Sequence, residues 1–180
     1  MIQDKMNANS LQKNTQDLFL AKLDARLETA LWECNPAKIK KALMLGACLP
    51  NSGECLSDLD DESKAVVTQY QHHPLQFLTR QKAFELTQRQ LNRFVREKIP
   101  LPEEFFSILP LLHKNELEVL FPLETWACPS GVKTLEALHQ RLKKKQKNKS
   151  NFVDYVQEIA SISLKKLSLQ KKIGQAQNNA

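Results

Sequence analysis

The stretch Asn35-Pro-Ala-Lys-Ile39-Lys-Lys-Ala-Leu43-Met-Leu-Gly46-Ala47-Cys48-Leu49-Pro50 carries the signals of a complete helix, from start to stop. Asn35 is a preferred N-cap residue, and Pro36 suits the first helical position, where a missing N–H costs no hydrogen bond. Ile39 and Leu43 are four residues apart and therefore share one helix face. Gly46 suits the left-handed turn that ends many helices. The stretch predicts a short helix with one apolar face.

The same order of features recurs twice along the chain. The second copy is Thr87-Gln-Arg-Gln90-Leu91-Asn-Arg-Phe-Val95-Arg-Glu-Lys-Ile99-Pro-Leu101-Pro102, and the third is Asn115-Glu-Leu-Glu118-Val119-Leu-Phe-Pro-Leu123-Glu-Thr-Trp-Ala127-Cys128. Thr87 with Gln90, and Asn115 with Glu118, have the spacing of a capping box, which predicts a helix start at each. Leu91, Phe94 and Val95 are the predicted apolar face of the second copy. A recurring unit predicts copies of one supersecondary structure stacked on each other.

Apolar residues at helical spacing predict further helices around these copies. A stripe of leucines predicts a helix between Asp17 and Glu33, which pairs with the first copy over residues 17–46. Further helices are predicted from Pro102, over 130–145 and over 151–172. Abundant Leu, Lys, Gln, Ala and Glu, with only four Gly, also favour helix over strand. The predicted fold class is all-α, with stacked helical hairpins and a C-terminal helix.

The length of 180 residues suits one domain with tails. We expect a disordered N-terminus over 1–14, a helical repeat-like domain over 15–145, a basic linker and C-terminal helix over 146–173, and a disordered tail over 174–180. The sequence contains no run of about 18 uncharged apolar residues, so no membrane span is predicted. The N-terminus lacks the apolar core of a secretion signal, and the four cysteines are scattered. These features predict free thiols and a cytoplasmic location.

Three segments resemble the ankyrin repeat. Gly46-Ala47 is similar to the end of its second helix, Asn115-Glu-Leu-Glu-Val119 to its Asn/His-Leu-Glu-Val-Val phrase, and His73-Pro-Leu-Gln76 to its Thr-Pro-Leu-His opening. The resemblance implies an ankyrin-like array that binds another protein and is not an enzyme. The closing residues of the three copies are spaced by 52 residues from Ala47 to Ile99 and by 28 from Ile99 to Ala127. The repeat length of the family is about 33 residues, so another all-helical arrangement is the alternative. With its Lys/Gln/Asn-rich tail, the chain also resembles effectors that intracellular bacteria deliver into a host cell.

No residue pattern predicts a metal site, a cofactor or a catalytic centre. Cys48, Cys55 and His72-His73 lack the short spacing of zinc ligands, and the acidic stretch 58–62 lacks the glycine of a calcium loop. Cys128 with His113 or His139 has no third group to orient a nucleophile. Instead of a metal-binding or catalytic role, Cys48 and Cys128 suit small buried positions at turns. A solvated loop is the alternative for the acidic stretch.

The array geometry predicts partner-binding residues at the ends of first helices and in connecting turns. These are Glu33, Arg80, Gln81 and His113. Trp126 at the last closing turn is either an exposed anchor of the binding surface or part of the core. We expect no small-molecule substrate.

Basic residues are concentrated in the C-terminal segment. From Arg141 onward, the chain has ten Lys and Arg residues and two acidic residues, which gives a net charge of +8. The net charge of the first 140 residues is −2. The basic patch comprises Arg141, Lys143, Lys144, Lys145, Lys147 and Lys149. Its functional interpretations are nucleic-acid binding through residues 141–172, which is the alternative function for the chain, nuclear targeting, or contact with an anionic membrane. A solvated linker is the non-functional alternative.

Overall fold

The computed structural model describes the backbone of residues 2–50, 56–144 and 150–178, and the side chains of 15–50, 56–144 and 150–174. The described residues form nine α-helices and no strand, so the predicted all-α class is confirmed. The helices are α1 Ile2–Trp32, α2 Pro36–Met44, α3 Asp61–His72, α4 Arg80–Glu97, α5 Glu103–Ile108, α6 Lys114–Leu120, α7 Leu123–Trp126, α8 Pro129–Lys143 and α9 Asn151–Asn178. Short 3-10 helices occupy Pro74–Gln76 and Leu109–Leu111. Among the described helices, none combines the length and apolar composition needed to cross a bilayer.

The chain divides into two compact units, Met1–Ile108 and Leu109–Ala180. In the first unit, α1 packs on α2, α2 packs on α3, and α5 packs on both α3 and α4. In the second unit, α9 packs on α6 and α8, and α7 packs on α8. The division falls after Ile108, inside the range 15–145 that the sequence predicts as one helical domain.

The first sequence copy forms the predicted helix, α2. The Asn35 Oδ1 accepts a hydrogen bond from the backbone N–H of Lys38 at 3.0 Å, and Pro36 is the first helical residue. Ile39 and Leu43 are both 0% exposed. Gly46 has a φ of +91°, a value that L side chains rarely adopt. Local signals therefore define both ends of α2.

The second copy does not start a helix, so its predicted capping box is wrong. Thr87 lies in the interior of α4, which begins after Thr79, whose hydroxyl oxygen accepts from the backbone N–H of Lys82 at 3.3 Å. The buried Thr87 hydroxyl instead donates to the Ala83 carbonyl at 2.7 Å. A Thr and a Gln three residues apart also fit on the buried face of a helix, and this is where α4 places them.

The third copy also begins inside a helix rather than at its start. Asn115 is the second residue of α6, and the N-cap is His113, whose backbone N–H donates to the Glu116 carboxylate at 2.7 Å. The predicted pair of Asn115 and Glu118 is therefore wrong by two residues. The three copies thus lie at different positions relative to their helices: at the start of α2, within α4 and within α6.

The predicted apolar face of the second copy is wrong at Val95, which is 45% exposed. The buried face of α4 runs through Ala83, Leu86, Thr87, Gln90 and Leu91. Phe94 continues this face and is half-buried, whereas Val95 lies about 100° further around the helix.

Both chain ends are more helical than the sequence predicts. α1 begins at Ile2 rather than near Asp17, and α9 continues to Asn178. Residues 1–16 contain neither Pro nor Gly, so no residue breaks the extension of α1 toward its N-terminus. Residues 179 and 180 of the predicted tail, and 145–149 of the predicted basic patch and linker, lie outside the described residues.

An aromatic cluster forms much of the core of the second unit. The Phe121 ring contacts Trp126 edge to face at 5.1 Å between ring centres, and Phe152 lies 5.8 Å from Phe121. The Tyr155 hydroxyl donates to the Phe121 carbonyl at 2.8 Å. Leu135, Leu138 and Leu142 are buried, as the leucine spacing predicts. Gly131 lies so close to the Trp126 carbonyl that an added Cβ would clash with it.

Candidate functional site

A groove between α1 and α2, here called the α1–α2 groove, has an apolar floor and a charged rim. Its volume is about 330 Å³. The floor consists of Leu23, Ala30, Ala42 and Leu45, and the rim of Arg26, Thr29, Glu33, Lys38 and Lys41. The described part of the rim therefore carries three cations and one carboxylate.

The groove exists because small residues lie where the two helices pack. Ala30 of α1 and Ala42 of α2 line it, and both are more than nine-tenths buried. Their methyl groups leave space that a larger apolar side chain would fill. Leu45, at the C-cap of α2, is 42% exposed and adds apolar surface to the lining. The site is thus a preformed apolar notch.

A second, larger groove lies between α1 and α4. Its volume is about 660 Å³, and Phe19, Leu20 and Leu45 supply apolar lining. Charged residues make up much of the rest: Asp17, Lys82, Glu85, Arg89, Arg93, Arg96 and Glu97. Leu45 lines both grooves, so the two share a wall. Because its lining mixes both signs of charge, the larger groove is less suited to an apolar ligand.

One predicted partner-binding residue lies in the α1–α2 groove. The Glu33 carboxylate accepts from the Lys38 ammonium at 2.7 Å across the turn between α1 and α2. Both side chains are at least 45% exposed, so this ion pair contributes little to stability. It does hold Glu33 and the Lys38 cation together at the rim.

The other predicted residues lie elsewhere. Arg80 and Gln81 form the exposed first turn of α4, where the Gln81 side-chain amide donates to Glu85 at 3.0 Å. His113 is exposed at the start of α6. Trp126 is 8% exposed and packs on Phe121, so its side chain belongs to the core of the second unit. His113 and Trp126 are in the second unit, whereas Glu33, Arg80 and Gln81 are in the first.

The other tryptophan, Trp32, is a surface residue that is not among the predicted binding residues. Trp32, the last residue of α1, is 77% exposed. Leu23, Leu27 and Leu31 define the buried stripe of α1, and Trp32 lies about 100° beyond Leu31. This offset from the stripe is a sequence signal for exposure.

Half of the predicted basic patch is described. Arg141, Lys143 and Lys144 are exposed at the C-terminal end of α8. Cations at this position complement the negative end of the helix dipole, which is a structural role for them. Lys145, Lys147 and Lys149 lie outside the described residues.

A partly buried polar network connects three helices of the first unit to the turn after α2. The Asp24 carboxylate of α1 accepts from the Cys48 backbone N–H at 2.7 Å and lies 3.4 Å from the Arg89 guanidinium of α4. Arg89 also donates to the Gly46 carbonyl at 2.8 Å. The turn is thereby fixed by side chains from two helices.

The network continues to α5 through Glu104. The Gln90 amide donates to the Glu104 carboxylate at 3.0 Å, and Glu104 is 0% exposed. Burial raises the pKa of Glu104 to about 7, against the opposing effect of nearby backbone N–H groups and of Gln90. Burial and the Glu104 carboxylate raise the pKa of the Cys48 thiol. Cys48 is 6% exposed and therefore poorly suited to attack a substrate.

The surroundings of Cys128 shift its thiol pKa in the opposite direction to that of Cys48. It precedes α8, and hydrogen bonds from Ser130 and from the Gly131 backbone lower the pKa of its thiol. The Cys128 Sγ lies 3.4 Å from the Ser130 Oγ. No group of three His, Cys, Asp or Glu residues suited to hold a metal ion occurs within residues 15–50, 56–144 and 150–174.

Comparison with family models, curated proteins and solved structures gives no match for this chain. The resemblance to ankyrin repeats and to bacterial effectors therefore stays a prediction, as do the cytoplasmic location and the delivery into a host cell.

Proposed function

We propose that this chain is a non-enzymatic protein-binding module. Its α1–α2 groove would receive an apolar side chain from an acidic, amphipathic segment of a partner protein. The observation that carries this proposal is the combination of an apolar floor with a mostly cationic rim in one groove.

The size of the groove favours a single anchor side chain. A volume of about 330 Å³ is near the lower limit of the roughly 300–1,000 Å³ that small-molecule pockets occupy. In protein interfaces, a few large side chains inserted into such pockets supply most of the binding free energy. An aliphatic or aromatic residue on the partner meets this requirement.

The rim charges favour an acidic partner. Lys38 is already paired with Glu33, whereas Arg26 and Lys41 form no ion pair with a described residue. Carboxylates placed beside the anchor would face these two cations. Such complementarity speeds association and excludes basic competitors.

The groove lining supports binding rather than catalysis. Thr29 supplies the one hydroxyl among the described lining residues, and this hydroxyl donates to the Ala25 backbone carbonyl at 2.9 Å. Among the described residues, neither a thiol nor an imidazole lines the groove. The described lining therefore holds no Ser–His or Cys–His pair of the kind that activates a nucleophile.

Selection from a library of displayed peptides, with the folded chain as bait, tests the proposal. We expect enriched peptides to carry a large apolar residue flanked by Asp or Glu. The double variant Arg26→Glu with Lys41→Glu should weaken the binding of a selected peptide at least about tenfold, as measured by fluorescence anisotropy.

A matched control separates the groove from general charge effects. Lys22→Glu with Lys40→Glu makes the same charge change on α1 and α2, at exposed residues that do not line the groove. This control should bind the peptide nearly as well as the unaltered chain. Equal weakening by both double variants, or the absence of any enriched acidic peptide, would refute the proposal.

A further inference from the structure

The second half of α9 exposes large apolar side chains. Leu164, Leu169 and Ile173 are 67%, 58% and 59% exposed. In the first half of the same helix, Phe152 and Ile159 are both 0% exposed. Leu169 and Ile173 are four residues apart and therefore follow each other on one helix face. α9 thus presents apolar surface beyond the part that is packed into the protein.

Lysines flank this apolar surface. Lys165, Lys166, Lys171 and Lys172 are all exposed, and the chain has no acidic residue after Glu158. None of these four lysines forms an ion pair with a described residue. At about 100° per residue, Lys165 and Lys172 lie on one side of the line through Leu169 and Ile173, and Lys166 lies on the other. These five residues are called the Lys–Leu face.

Two anionic partners match the charge of this face, and the apolar residues distinguish them. A nucleic acid offers phosphates to the lysines, but its unpaired bases bind proteins mainly by stacking on aromatic rings. The aromatic residues of α9, Phe152 and Tyr155, are 0% and 2% exposed. An anionic membrane offers phosphates to the lysines and acyl chains to Leu169 and Ile173. The membrane therefore uses every residue of the Lys–Leu face.

We propose that α9 binds the surface of an anionic membrane through the Lys–Leu face. Leu169 and Ile173 enter the boundary between head groups and acyl chains, while Lys165, Lys166 and Lys172 contact lipid phosphates. The helix lies in the plane of the interface and does not cross the bilayer. Two inserted side chains and three lysines give weak, reversible binding that depends on the density of anionic lipid.

Sedimentation of the full chain with lipid vesicles tests this proposal. We expect the chain to sediment with vesicles of phosphatidylcholine and phosphatidylserine, and to stay in the supernatant with phosphatidylcholine alone. Leu169→Ser with Ile173→Ser should lower the vesicle affinity about tenfold, because the inserted apolar surface is lost. Lys165→Gln, Lys166→Gln and Lys172→Gln together should lower it at least about tenfold, because the lipid charge is no longer matched.

A control variant tests whether position matters as well as net charge. Lys22→Gln, Lys40→Gln and Lys133→Gln remove three exposed lysines from α1, α2 and α8. This variant should bind vesicles within about threefold of the unaltered chain. All the replaced lysines are exposed, and circular dichroism should show the same helix content in every variant.

Two results would overturn the proposal. One is vesicle binding that the Leu169→Ser, Ile173→Ser variant leaves unchanged, since binding would then be purely electrostatic. The other is a failure to sediment with anionic vesicles while the chain binds duplex DNA or RNA with steep salt dependence. That outcome would assign the lysines to nucleic acid, the alternative that the sequence left open.

Discussion

The two units of this protein stabilise their cores by different means. In the first unit, Asp24, Arg89, Gln90 and Glu104 bring charged and amide groups among buried apolar side chains. The second unit instead packs Phe121, Trp126, Phe152 and Tyr155 together, with one hydroxyl satisfied by a backbone carbonyl. The stability of the first unit therefore depends on protonation as well as packing, whereas that of the second depends mainly on packing.

The difference shows what each kind of core requires. A buried hydrogen-bond network needs all of its members, because a polar group without a partner costs about 1–3 kcal/mol. An aromatic cluster depends on filled volume, and the loss of one ring leaves a cavity. Mutations that remove volume should act most strongly in the second unit, and mutations that remove charge should act most strongly in the first.

The largest effect is expected from Phe121→Ala. This ring is 0% exposed and contacts both Trp126 and Phe152, so its loss should lower the free energy of unfolding of the second unit by about 3–5 kcal/mol. Urea unfolding followed by Trp126 fluorescence measures this in a Trp32→Phe background, where Trp126 is the only tryptophan left.

Val119→Ala is the matched control, because Val119 lies on α6 and is 56% exposed. It should change the free energy of unfolding by no more than about 0.5 kcal/mol. Similar losses at Phe121 and Val119 would show that the aromatic cluster does not dominate the second unit.

The next largest effect is the pH dependence of stability that Glu104 gives to the first unit. Its pKa is raised from 4.5 in the unfolded chain to about 7 in the folded one. The folded state therefore holds the proton more tightly, and its stabilisation is complete below pH 4.5 and lost as the pH rises to about 7. The loss should amount to about 3 kcal/mol, at 1.36 kcal/mol per pKa unit.

Glu104→Gln removes this titration and keeps an oxygen to accept the Gln90 hydrogen bond. Subtracting the variant's stability curve from that of the unaltered chain isolates the Glu104 contribution, measured by urea unfolding between pH 4 and pH 8 at intervals of about one pH unit. Glu104→Asp keeps a buried carboxyl group and should keep a fall in stability with pH. A flat difference curve for Glu104→Gln would contradict the assignment.

The smallest expected effect is a difference in alkylation rate between Cys48 of the first unit and Cys128 of the second. The pKa of Cys48 is raised by burial and by Glu104, whereas hydrogen bonds lower the pKa of Cys128. The thiolate is the reactive form, so limiting iodoacetamide should alkylate Cys128 at least about tenfold faster than Cys48. Mass spectrometry of the digested protein measures both rates in one sample, and faster alkylation of Cys48 would contradict the environments described for the two thiols.

Features set by neighbouring residues could be predicted from the sequence. The cap at Asn35, the turn at Gly46 and the leucine stripe of α8 all depend on residues within about one or two helical turns. The helix start predicted at Thr87 is wrong because a Thr and a Gln three residues apart suit both a helix start and a buried helix face. Thr79 supplied the actual cap, and only the packing of α4 against the rest of the unit distinguishes the two.

Features that join distant residues could not be predicted. The α1–α2 groove depends on Ala30 of α1 and Ala42 of α2 lining the same space, which no single-helix pattern reveals. The pairing of Gln90 with Glu104 likewise depends on α4 and α5 packing together. Array geometry predicts Glu33 as a partner-binding residue, and Glu33 lines the groove, whereas the predicted binding residues do not include the exposed Trp32.

Leu45 lines both grooves of the first unit. A molecule that restricted the rotamers of this side chain in one groove would alter the shape that the neighbouring groove presents. Any coupling of the two grooves through Leu45 would have to be reciprocal. A single leucine at the end of a nine-residue helix thus makes cooperative or antagonistic recognition available to a small domain.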